Sequence, residues 1–535
     1  MRLPTTQRRR TARRRARSEP GRWAAYLATV EPQLAACPRV HRLAEPPLVG
    51  AGGLPPAPLA VWIEGEGAPA QWTRDSVLAG TGAPTRVLGG PLASALAEAR
   101  EDRVVLVRAG DRLAPLALER LGQAVRLAPD ASVITTDSDR LDAGGRRRDP
   151  RFRPGPAPDH WLAADDSGPL LVVSPQAASE AAPELTSDAS WRHEVALRLA
   201  GPGGREHAHV PLLLCHEAAD RAPTPGLDPR RVQRVLRRWE PDAGVQAAGP
   251  ARRVVRPLTQ EPSVEVIVCF RDRPELLERS VGSLLAKTAW ERLGVVLVDN
   301  GSSRPETQAM VNRLSRDPRV RLLRDERPFN FSALNNAAAR SSPADLLVFL
   351  NNDTETIDED WVAGLAEEAM RPQIGAVAPL LLYPDGTVQH AGAAIGLHGY
   401  AGHPFAGLAP DAQTPFGRAD AGTRNWLAVT AACLMVQRTK FCAVDGFDRS
   451  FVVAGNDVDL GLRLTRAGWR SLCVPHVRFV HDESSSRGGH VDPGDFAASE
   501  RSYGAFRTVG DPFYNPSLTL TATDCRLRAP HETLG

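Results

Sequence analysis

Residues 264–302, VEVIVCFRDRPELLERSVGSLLAKTAWERLGVVLVDNGS, are the stretch that decides the fold. They open with a continuous apolar run, 264–270, which is typical of a strand buried on both faces. Apolar residues then recur at helical spacing over 274–288, and a second apolar strand covers 295–298. That strand ends at a polar turn that starts with Asp299. Strand, helix and strand in this order predict an α/β fold, a mainly parallel sheet with helices on both faces.

The same alternation continues downstream. We predict strands over 345–350 and 429–436 and an amphipathic helix marked by Trp361, Leu365 and Met370. Asp299 and Asp353 both follow apolar strands. Because ligands of open α/β sheets bind outside the carboxyl ends of the strands, we expect these two carboxylates to converge.

Two acidic clusters suggest a reaction site. Asp353 stands in Leu-Asn-Asn-Asp-Thr-Glu directly after a strand, where a hydrated Mg²⁺ or Mn²⁺ could join its carboxylate to a diphosphate. Asp457 lies about a hundred residues later at the start of a predicted helix, where a general base could stand. Each also has a plain structural interpretation, because Asp commonly forms turns and caps helix N-termini. Asp459, two positions on, is expected to be structural or to orient an acceptor.

Further polar residues are candidates for a ligand site. Asp299 and Asn300 form the turn after the second strand, where a carboxylate can accept hydrogen bonds from a base or ribose. His481 follows a predicted strand, 477–480, and is a candidate metal ligand, although a lone histidine is more often structural. Arg487, in a Ser/Gly-rich loop, is expected to pair with phosphate oxygens.

Eight motifs occur in an order that resembles glycosyltransferase family 2, in particular its bacterial rhamnosyltransferase-like branch. The resemblance covers about residues 255–510. The motifs are VEVIVCFRDRPELLERSVGSLL, VVLVDNGSS, FNFSALNNAA, LLVFLNNDTE, LYPDGTVQHAG, AVTAACLMV, GNDVDLGLRLTRAGWR and HDESSSRG.

The resemblance implies an inverting enzyme with a GT-A fold, which is Rossmann-like. It implies that Asp299 contacts the nucleoside, that Asp353 is the last acid of a metal-binding DxD-like motif, and that Asp457 is the catalytic base. His481 matches the first of two histidines usual in this branch, whereas Asp482 replaces the second, so the metal contact of either residue stays open. The expected partners are a nucleoside-diphosphate sugar donor and a saccharide or lipid-linked saccharide acceptor. The expected pathway is bacterial surface polysaccharide synthesis, and residues 383–427 are the candidate acceptor contacts.

The N-terminal half resembles the same family in degenerate form. VLVRAGDRLAPLALERL is similar to the stretch around the DxD, and HVPLLLCH is similar to the closing strand that ends in histidine. Arg192 or a neighbour occupies the position of the base, and an arginine cannot serve as a carboxylate base. We therefore predict two tandem domains, with an inactive N-terminal copy in which acids and a histidine persist as relics or structural residues: Asp111, Asp137, Asp139 and His216.

Composition sets the outer limits. A chain of 535 residues, 42% apolar, is expected to form two domains, which we place at 46–250 and 255–520 after a basic, disordered tail over 1–45. Eight arginines precede residue 18, so the rest of the chain is mildly acidic despite a formal charge of +2. The seven cysteines show no CxxC spacing, which favours reduced thiols.

No apolar stretch in the sequence reaches the length of a membrane span or of a signal peptide's apolar region. We therefore expect a cytoplasmic protein. Its arginine tail is either solvated or in peripheral contact with anionic lipid at the inner face of the membrane. Nucleic-acid binding by this tail is the less favoured interpretation, and it would not exclude catalysis.

Two other functions compete with glycosyl transfer. A nucleotidyltransferase would carry a Gly/Arg/Lys-rich loop after its first strand, whereas this turn reads Arg-Asp-Arg-Pro and the whole chain has two lysines. A non-catalytic scaffold or assembly protein with two decayed domains fits the N-terminal half. Asp353, Asp457 and His481 together favour an enzyme.

Overall fold

The computed structural model describes residues 20–36, 39–42, 47–49, 54–80, 85–181, 190–203, 206–219, 227–482 and 492–532. Within these ranges, no helix combines the length and the apolarity needed to cross a membrane. The six cysteines that fall in these ranges are all free, and four of them are buried.

The N-terminal half is built from a sheet and flanking helices. Its strands are β1 Arg39–Arg42, β2 Leu48–Val49, β3 Leu59–Glu64, β4 Thr85–Leu88, β5 Val104–Arg108, β6 Arg112–Leu113, β7 Val133–Leu141, β8 Arg147–Arg151, β9 Leu171–Val173, β10 His207–Glu217, β11 Gly244–Ala248 and β12 Ala251–Val255. Its helices are α1 Pro20–Ala25, α2 Glu31–Ala36, α3 Ala68–Ala79, α4 Leu92–Glu98, α5 Ala117–Leu127, α6 Pro158–Ala163, α7 Pro175–Ala181, α8 Trp191–Ala200 and α9 Pro229–Leu236, with a π-helical turn, Tyr26–Val30, that joins α1 to α2.

The C-terminal half is likewise built from a sheet and flanking helices. Its strands are β13 Val264–Phe270, β14 Leu293–Asp299, β15 Val320–Arg324, β16 Leu346–Asn351, β17 Thr354–Thr356, β18 Ile374–Leu382, β19 Val388–His390, β20 Ala394–Ile395, β21 Ala401–Gly402, β22 Arg424–Trp426, β23 Cys433–Gln437 and β24 Arg470–His481. Its helices are α10 Pro274–Lys287, α11 Pro305–Leu314, α12 Phe331–Ser341, α13 Trp361–Ala369, α14 Arg438–Ala443, α15 Asn456–Arg466 and α16 Pro493–Val509, with a 3₁₀ turn at Leu397–Gly399.

The C-terminal sheet runs in the order β15-β14-β13-β16-β23-β18-β24-β17. The first four strands are mutually parallel, β23 is antiparallel to both of its neighbours, and β18 and β24 are parallel. Most strands therefore point in one direction, and their carboxyl ends lie along one edge. Strands β13 and β16 are almost completely buried because helices cover both faces, which explains their continuous apolar sequences.

The N-terminal sheet repeats this order. Strands β4, β3, β5, β9, β7 and β10 are neighbours in the same sequence and with the same relative directions as β14, β13, β16, β23, β18 and β24. The short strands match as well, because β6 pairs antiparallel with β10 as β17 does with β24. The two halves thus share the order and direction of six central strands, whereas β1 and β2 extend only the N-terminal sheet and β15 only the C-terminal one.

Three stretches differ from the expectations. The predicted strand 429–436 begins only at Cys433, because 431–432 form a turn; burial, and not strand geometry, explains the apolar residues before it. The tail expected to be disordered over 1–45 is helical over 20–36, where Tyr26, Val30 and Leu34 are buried at helical spacing. The eight arginines lie outside the described residues. The boundary placed between the two domains at 250–255 falls within the hairpin of β11 and β12.

A buried carboxylate joins the two halves. Asp159 on α6 is 3% exposed and accepts hydrogen bonds from three side chains of the C-terminal half, at 2.7 to 2.8 Å: Arg371 Nη2, Arg470 Nε and Asn425 Nδ2. Burial by itself would raise the pKa of Asp159, but the two guanidinium groups hold it well below its usual range. The chain after α16 also returns to the N-terminal half, where Asn515 Nδ2 donates to Asp137 Oδ2 at 2.8 Å.

Candidate active site

A cavity of about 460 Å³ opens at the carboxyl edge of the C-terminal sheet. It is lined by three of the residues singled out from the sequence, Asp353, Asp457 and His481. They come from three places: the end of β16, the start of α15 and the end of β24. The sheet topology thus collects two acids and a histidine that are separated by up to 128 residues in sequence.

The pairing of β17 with β24 places His481 beside Asp353. The first residue of β17 faces His481, and Asp353 directly precedes β17. Asp353 Oδ1 lies 3.3 Å from His481 Nε2, and the Asp353 carbonyl accepts a hydrogen bond from the backbone N–H of Asp482 at 3.0 Å. Both side chains are about nine-tenths or more buried. His481 Nδ1 is also buried, and none of the described residues forms a hydrogen bond with it.

These two residues fit a divalent cation only in part. A carboxylate oxygen and an imidazole nitrogen within reach of each other are suitable ligands for Mn²⁺ and, for the carboxylate, Mg²⁺. No group of three or more His, Cys, Asp or Glu side chains in the described ranges could hold a metal by itself. Cations that bind substrate phosphates commonly use one or two protein carboxylates, and phosphate and water complete the coordination. Asp353 and His481 match that pattern.

Asp457 is the second residue of α15 and is partly exposed to the cavity. The helix begins after Gly455, whose φ of 85° requires the left-handed conformation. Asp457 Oδ2 accepts a hydrogen bond from Ala431 N at 3.1 Å, and Oδ1 accepts one from Val458 N at 2.9 Å. Two backbone donors therefore fix the carboxylate without neutralising it.

Asp459 has a structural role. It is buried and accepts hydrogen bonds from Arg463 Nε at 2.8 Å and from Ser502 Oγ at 2.7 Å. The second of these bonds ties α15 to α16, so the helix of the candidate base is held against its neighbour.

Helix α16 forms a cavity wall that the sequence motifs did not indicate. Phe496, Ser499 and Tyr503 line the cavity at helical spacing, and this i, i+3, i+7 pattern is the signal that could have identified them. Burial, partly offset by a hydrogen bond with Ser499, raises the pKa of Tyr503 to about 12, so its hydroxyl stays protonated at neutral pH. The carboxylate of Asp495 accepts hydrogen bonds from three successive backbone N–H groups, residues 452–454.

Two neighbouring histidines lie at the cavity, and one of them, His403, is part of its lining. His390 Nδ1 and His403 Nδ1 are 3.0 Å apart, and only His403 is partly exposed. Burial, followed by the neighbouring His403 and His481, lowers the pKa of His390 well below its usual value. His390 belongs to the motif LYPDGTVQHAG, so its presence near the site was signalled by the sequence although no role was assigned to it.

Of the remaining candidates, Asp299 and Asn300 lie outside this cavity. Asp299 lies at the end of β14 with Oδ1 bound to Ser302 N at 2.8 Å, and Asn300 Nδ2 donates to two backbone carbonyls at 2.7 and 2.8 Å. The Asp299 side chain therefore shapes the turn after β14, and the Asn300 side chain ties that turn to the segment after β15. The segment 383–427, expected to contact the acceptor, divides: His398, Tyr400 and His403 line the cavity, whereas Trp426 is 1% exposed and belongs to the core. Arg487 lies outside the described residues.

The N-terminal sheet places an acid and a histidine in equivalent positions. Strand β6 starts directly after Asp111, and its first residue faces His216, as β17 starts after Asp353 and faces His481. The contacts nevertheless differ, because His216 Nδ1 lies 2.6 Å from Asp139 Oδ1. The geometry of the C-terminal pair is therefore not reproduced.

The helix before the last strand carries the largest difference. Arg192 is the second residue of α8, as Asp457 is the second residue of α15. Arg192 is 3% exposed, and its Nη1 forms an ion pair with Glu64 Oε2 at 2.7 Å. Burial lowers the pKa of Arg192 to about 10, so it remains a cation at neutral pH and cannot accept a proton.

The chain is similar in sequence to a known protein family and to several known proteins. The family model described as "Glycosyl transferase family 2" matches residues 265–405. The O-antigen biosynthesis protein RfbC of Myxococcus xanthus is 41% identical over 450 residues, which are 81% of this chain and 35% of that protein. This chain therefore spans about a third of the length of that relative.

A shorter relative is covered more completely. The N-acetylglucosaminyl-diphospho-decaprenol L-rhamnosyltransferase of Mycobacterium tuberculosis H37Rv is 32% identical over 256 residues, which are 42% of this chain and 76% of that protein. Among solved structures, GalNAc-T7 with UDP, GalNAc and Mn²⁺ matches with a TM-score of 0.35 and 16% identity, over 42% of this chain and 45% of that one.

Proposed function

Because the chain belongs to glycosyl transferase family 2, we propose that its C-terminal half transfers a sugar from a nucleoside-diphosphate sugar to a hydroxyl group of a saccharide or lipid-linked saccharide. The predicted family is confirmed by the family model and by the Mycobacterium relative, most of which this chain covers. The α/β class and the GT-A fold predicted from the sequence are confirmed with it.

One observation carries the proposal: a single cavity is lined by Asp353, His481 and Asp457. The first two are paired at 3.3 Å at the end of the sheet, and the third is held separately by two backbone N–H groups. A leaving diphosphate and an attacking hydroxyl need different groups, and the cavity offers both. A scaffold protein with two decayed domains would have no reason to keep this arrangement.

In the proposed reaction, Asp457 accepts the proton of an acceptor hydroxyl while that oxygen attacks the anomeric carbon of the donor. The bond from that carbon to the diphosphate oxygen breaks on the opposite face, and the nucleoside diphosphate leaves with its electron pair. A single displacement inverts the anomeric configuration. General base catalysis of this kind contributes roughly 10²- to 10⁴-fold in rate. The N–H groups of Ala431 and Val458 keep the carboxylate oriented.

Asp353 and His481 are the residues that would hold a divalent cation. When bound there, Mg²⁺ or Mn²⁺ would offset the charge of the leaving diphosphate. Because Asp353 and His481 supply only part of a cation's coordination, we expect the cation to bind together with the donor and not before it.

We propose bacterial surface polysaccharide synthesis as the process served, since the Myxococcus relative carries the name of an O-antigen biosynthesis protein. Residues 255–520 would be the catalytic domain, and Asp299 and Asn300 would contact the nucleoside through the turn that they shape. Arg487 would approach the diphosphate.

The N-terminal half, 46–250, would be a degenerate copy that supports the catalytic half. The shared order of its six central strands supports a common origin, and the cation at the second position of α8 excludes base catalysis there. The buried hydrogen bonds of Asp159 support a structural role for this copy.

Thermal stabilisation by nucleotide sugars tests the proposal. The purified full chain is heated with UDP-, dTDP- and GDP-sugars, with and without Mn²⁺, beside Asp353→Asn, which keeps the shape of the side chain. We expect one nucleotide to raise the Tm only with Mn²⁺, and we expect Asp353→Asn to lose that rise. Absence of stabilisation by any of the donors would favour the scaffold.

A further inference from the structure

Two exposed aromatic rings stand at the mouth of the candidate active site. Tyr400 is 38% exposed and Phe496 is 42% exposed, and both line the cavity that contains Asp457. Their ring centroids are 4.8 Å apart although one ring lies in the loop after β20 and the other on α16. Large apolar side chains that stay exposed side by side in a cavity mark a binding surface more often than isolated ones do.

Hydrogen bonds of helix α16 fix the positions of Tyr400 and Phe496 relative to Asp457. Asp495, next to Phe496, binds the three backbone N–H groups of residues 452–454, just before the helix that carries Asp457. At the other end of α16, Arg507 Nη1 donates to the Gly399 carbonyl at 2.8 Å, and its guanidinium carbon lies 4.8 Å from the centre of the Tyr400 ring. One helix thus ties the base, Phe496 and Tyr400 together.

Polar side chains interrupt the apolar lining of the cavity that holds the rings and the base. Ser499 lies one turn after Phe496 on the cavity side of α16, and His398 and Gln389 also line the cavity. An acyl or prenyl chain would require a continuous apolar wall. A sugar ring has an apolar C–H face, which packs on aromatic rings, and hydroxyl groups around its edge, which need polar partners.

We propose that Tyr400 and Phe496 form the platform on which the sugar ring of the acceptor packs, with the attacking hydroxyl directed toward Asp457. This inference rests on the proposed function and assigns its acceptor subsite. The occupant is a pyranose ring, and the platform determines which ring faces are accepted.

Saturation-transfer NMR with the full chain tests this platform. The probes are methyl glycosides of a hexose, a 6-deoxyhexose and an N-acetylhexosamine, together with n-octyl glycosides of the same sugars. We expect saturation of ring protons of at least one methyl glycoside in the wild type. Phe496→Ala and Tyr400→Ala should each raise the dissociation constant about fivefold or more.

Two variants serve as controls. Tyr400→Phe keeps the ring and should bind like the wild type. Trp72→Ala removes an aromatic side chain that is 55% exposed on α3 of the N-terminal half, and it should leave glycoside binding unchanged. A uniform loss in all variants would mean a general surface effect and would overturn the proposal.

The donor assay separates the two proposals. If Mn²⁺-dependent stabilisation by a nucleotide sugar persists in Phe496→Ala while glycoside binding is lost, the platform is supported. Two results would show that the platform is wrong while the proposed function stands, provided that stabilisation by the nucleotide sugar persists. In the first, glycosides bind the alanine variants as they bind the wild type. In the second, glycosides bind none of the variants. Binding of octyl glycosides alone would assign the rings to the lipid portion of the acceptor and also overturn the inference.

Discussion

Asp159→Ala is predicted to destabilise the interface between the two halves. Asp159 is 3% exposed and is the carboxylate that Arg371, Arg470 and Asn425 share. Arg371 keeps a second partner in the variant, since its Nη1 also donates to Glu368 at 2.7 Å. Arg470 has no other side-chain partner among the described residues, so its guanidinium, 11% exposed, would remain largely buried and uncompensated.

The size of the effect follows from that uncompensated charge. Removal of one partner of a buried ion pair costs about 3–5 kcal/mol. For a folding unit of about 250 residues this corresponds to a decrease of roughly 6–20 °C in Tm. Differential scanning calorimetry of the full chain is the appropriate assay, because a chain with two coupled halves need not unfold in one step. We expect the transition to move down and to separate into two.

Two variants isolate the cause. Asp159→Ala combined with Arg470→Met removes the uncompensated charge and should recover at least about 1 kcal/mol of the loss. Asp75→Asn, on the exposed side of α3, should change the free energy of unfolding by less than about 0.5 kcal/mol. The reasoning is refuted if Asp159→Ala melts within about 2 °C of the wild type, or if the double variant is no more stable than the single one.

The pH dependence has a definite sign. Asp159 has a pKa lower in the folded chain than its unfolded value of about 3.9. Its contribution to stability is therefore fully present above about pH 4 and is lost as the pH falls further toward the folded pKa. The difference in Tm between the wild type and Asp159→Ala should be constant at neutral pH and should decrease in acid.

Two further predictions concern carboxylates with different roles. Asp457→Asn should reduce turnover at least about 100-fold, because an amide cannot accept the proton, while donor-dependent stabilisation persists; retained turnover would place the base elsewhere. Asp511 is buried on the chain after α16, and burial, opposed by the N–H groups of Ile395 and Phe513, raises its pKa to about 7. Since this value lies above the unfolded one, the contribution of Asp511 to stability is fully present below about pH 4 and is lost as the pH rises through 7. Asp511→Asn should therefore gain Tm relative to the wild type between pH 5 and pH 8.5, and a constant difference would contradict the raised pKa.

The predictions that rest on local sequence patterns were the most accurate. The strand 264–270 has the predicted bounds, and the helix at Asp457 begins one residue earlier than expected. Both follow from hydrophobic runs and helix-start residues that act over a few positions. The strand predicted over 429–436 was wrong for 429–432, because the observed strand begins at Cys433. Residues 429–432 are buried beside the cavity without pairing as a strand.

What the sequence could not predict depends on long-range contacts. Asp159 meets Arg371 and Arg470 across 212 and 311 residues, and no local pattern signals such a pair. Trp426 belonged to the segment expected to bind the acceptor, yet it is buried, because the ring packs against Gly392, where no Cβ would fit. Helix α16 carries the cavity wall although it contains none of the recognisable motifs.

The two sheets show how the fold and the chemistry of the chain depend on different residues. Strand order is set by apolar runs, which many substitutions preserve, so β3 to β10 keep the arrangement of β13 to β24. The proposed catalysis requires a carboxylate at the second position of one helix, where α15 has Asp457 and α8 has Arg192. Because Arg192 occupies this position and forms an ion pair with Glu64, the side chain there cannot accept a proton. Loss of either residue would also leave the other charge buried without its partner. On the proposal of a common origin, the N-terminal copy could thus lose its reaction through very few changes and still be retained for the surface that Asp159 presents to the catalytic half.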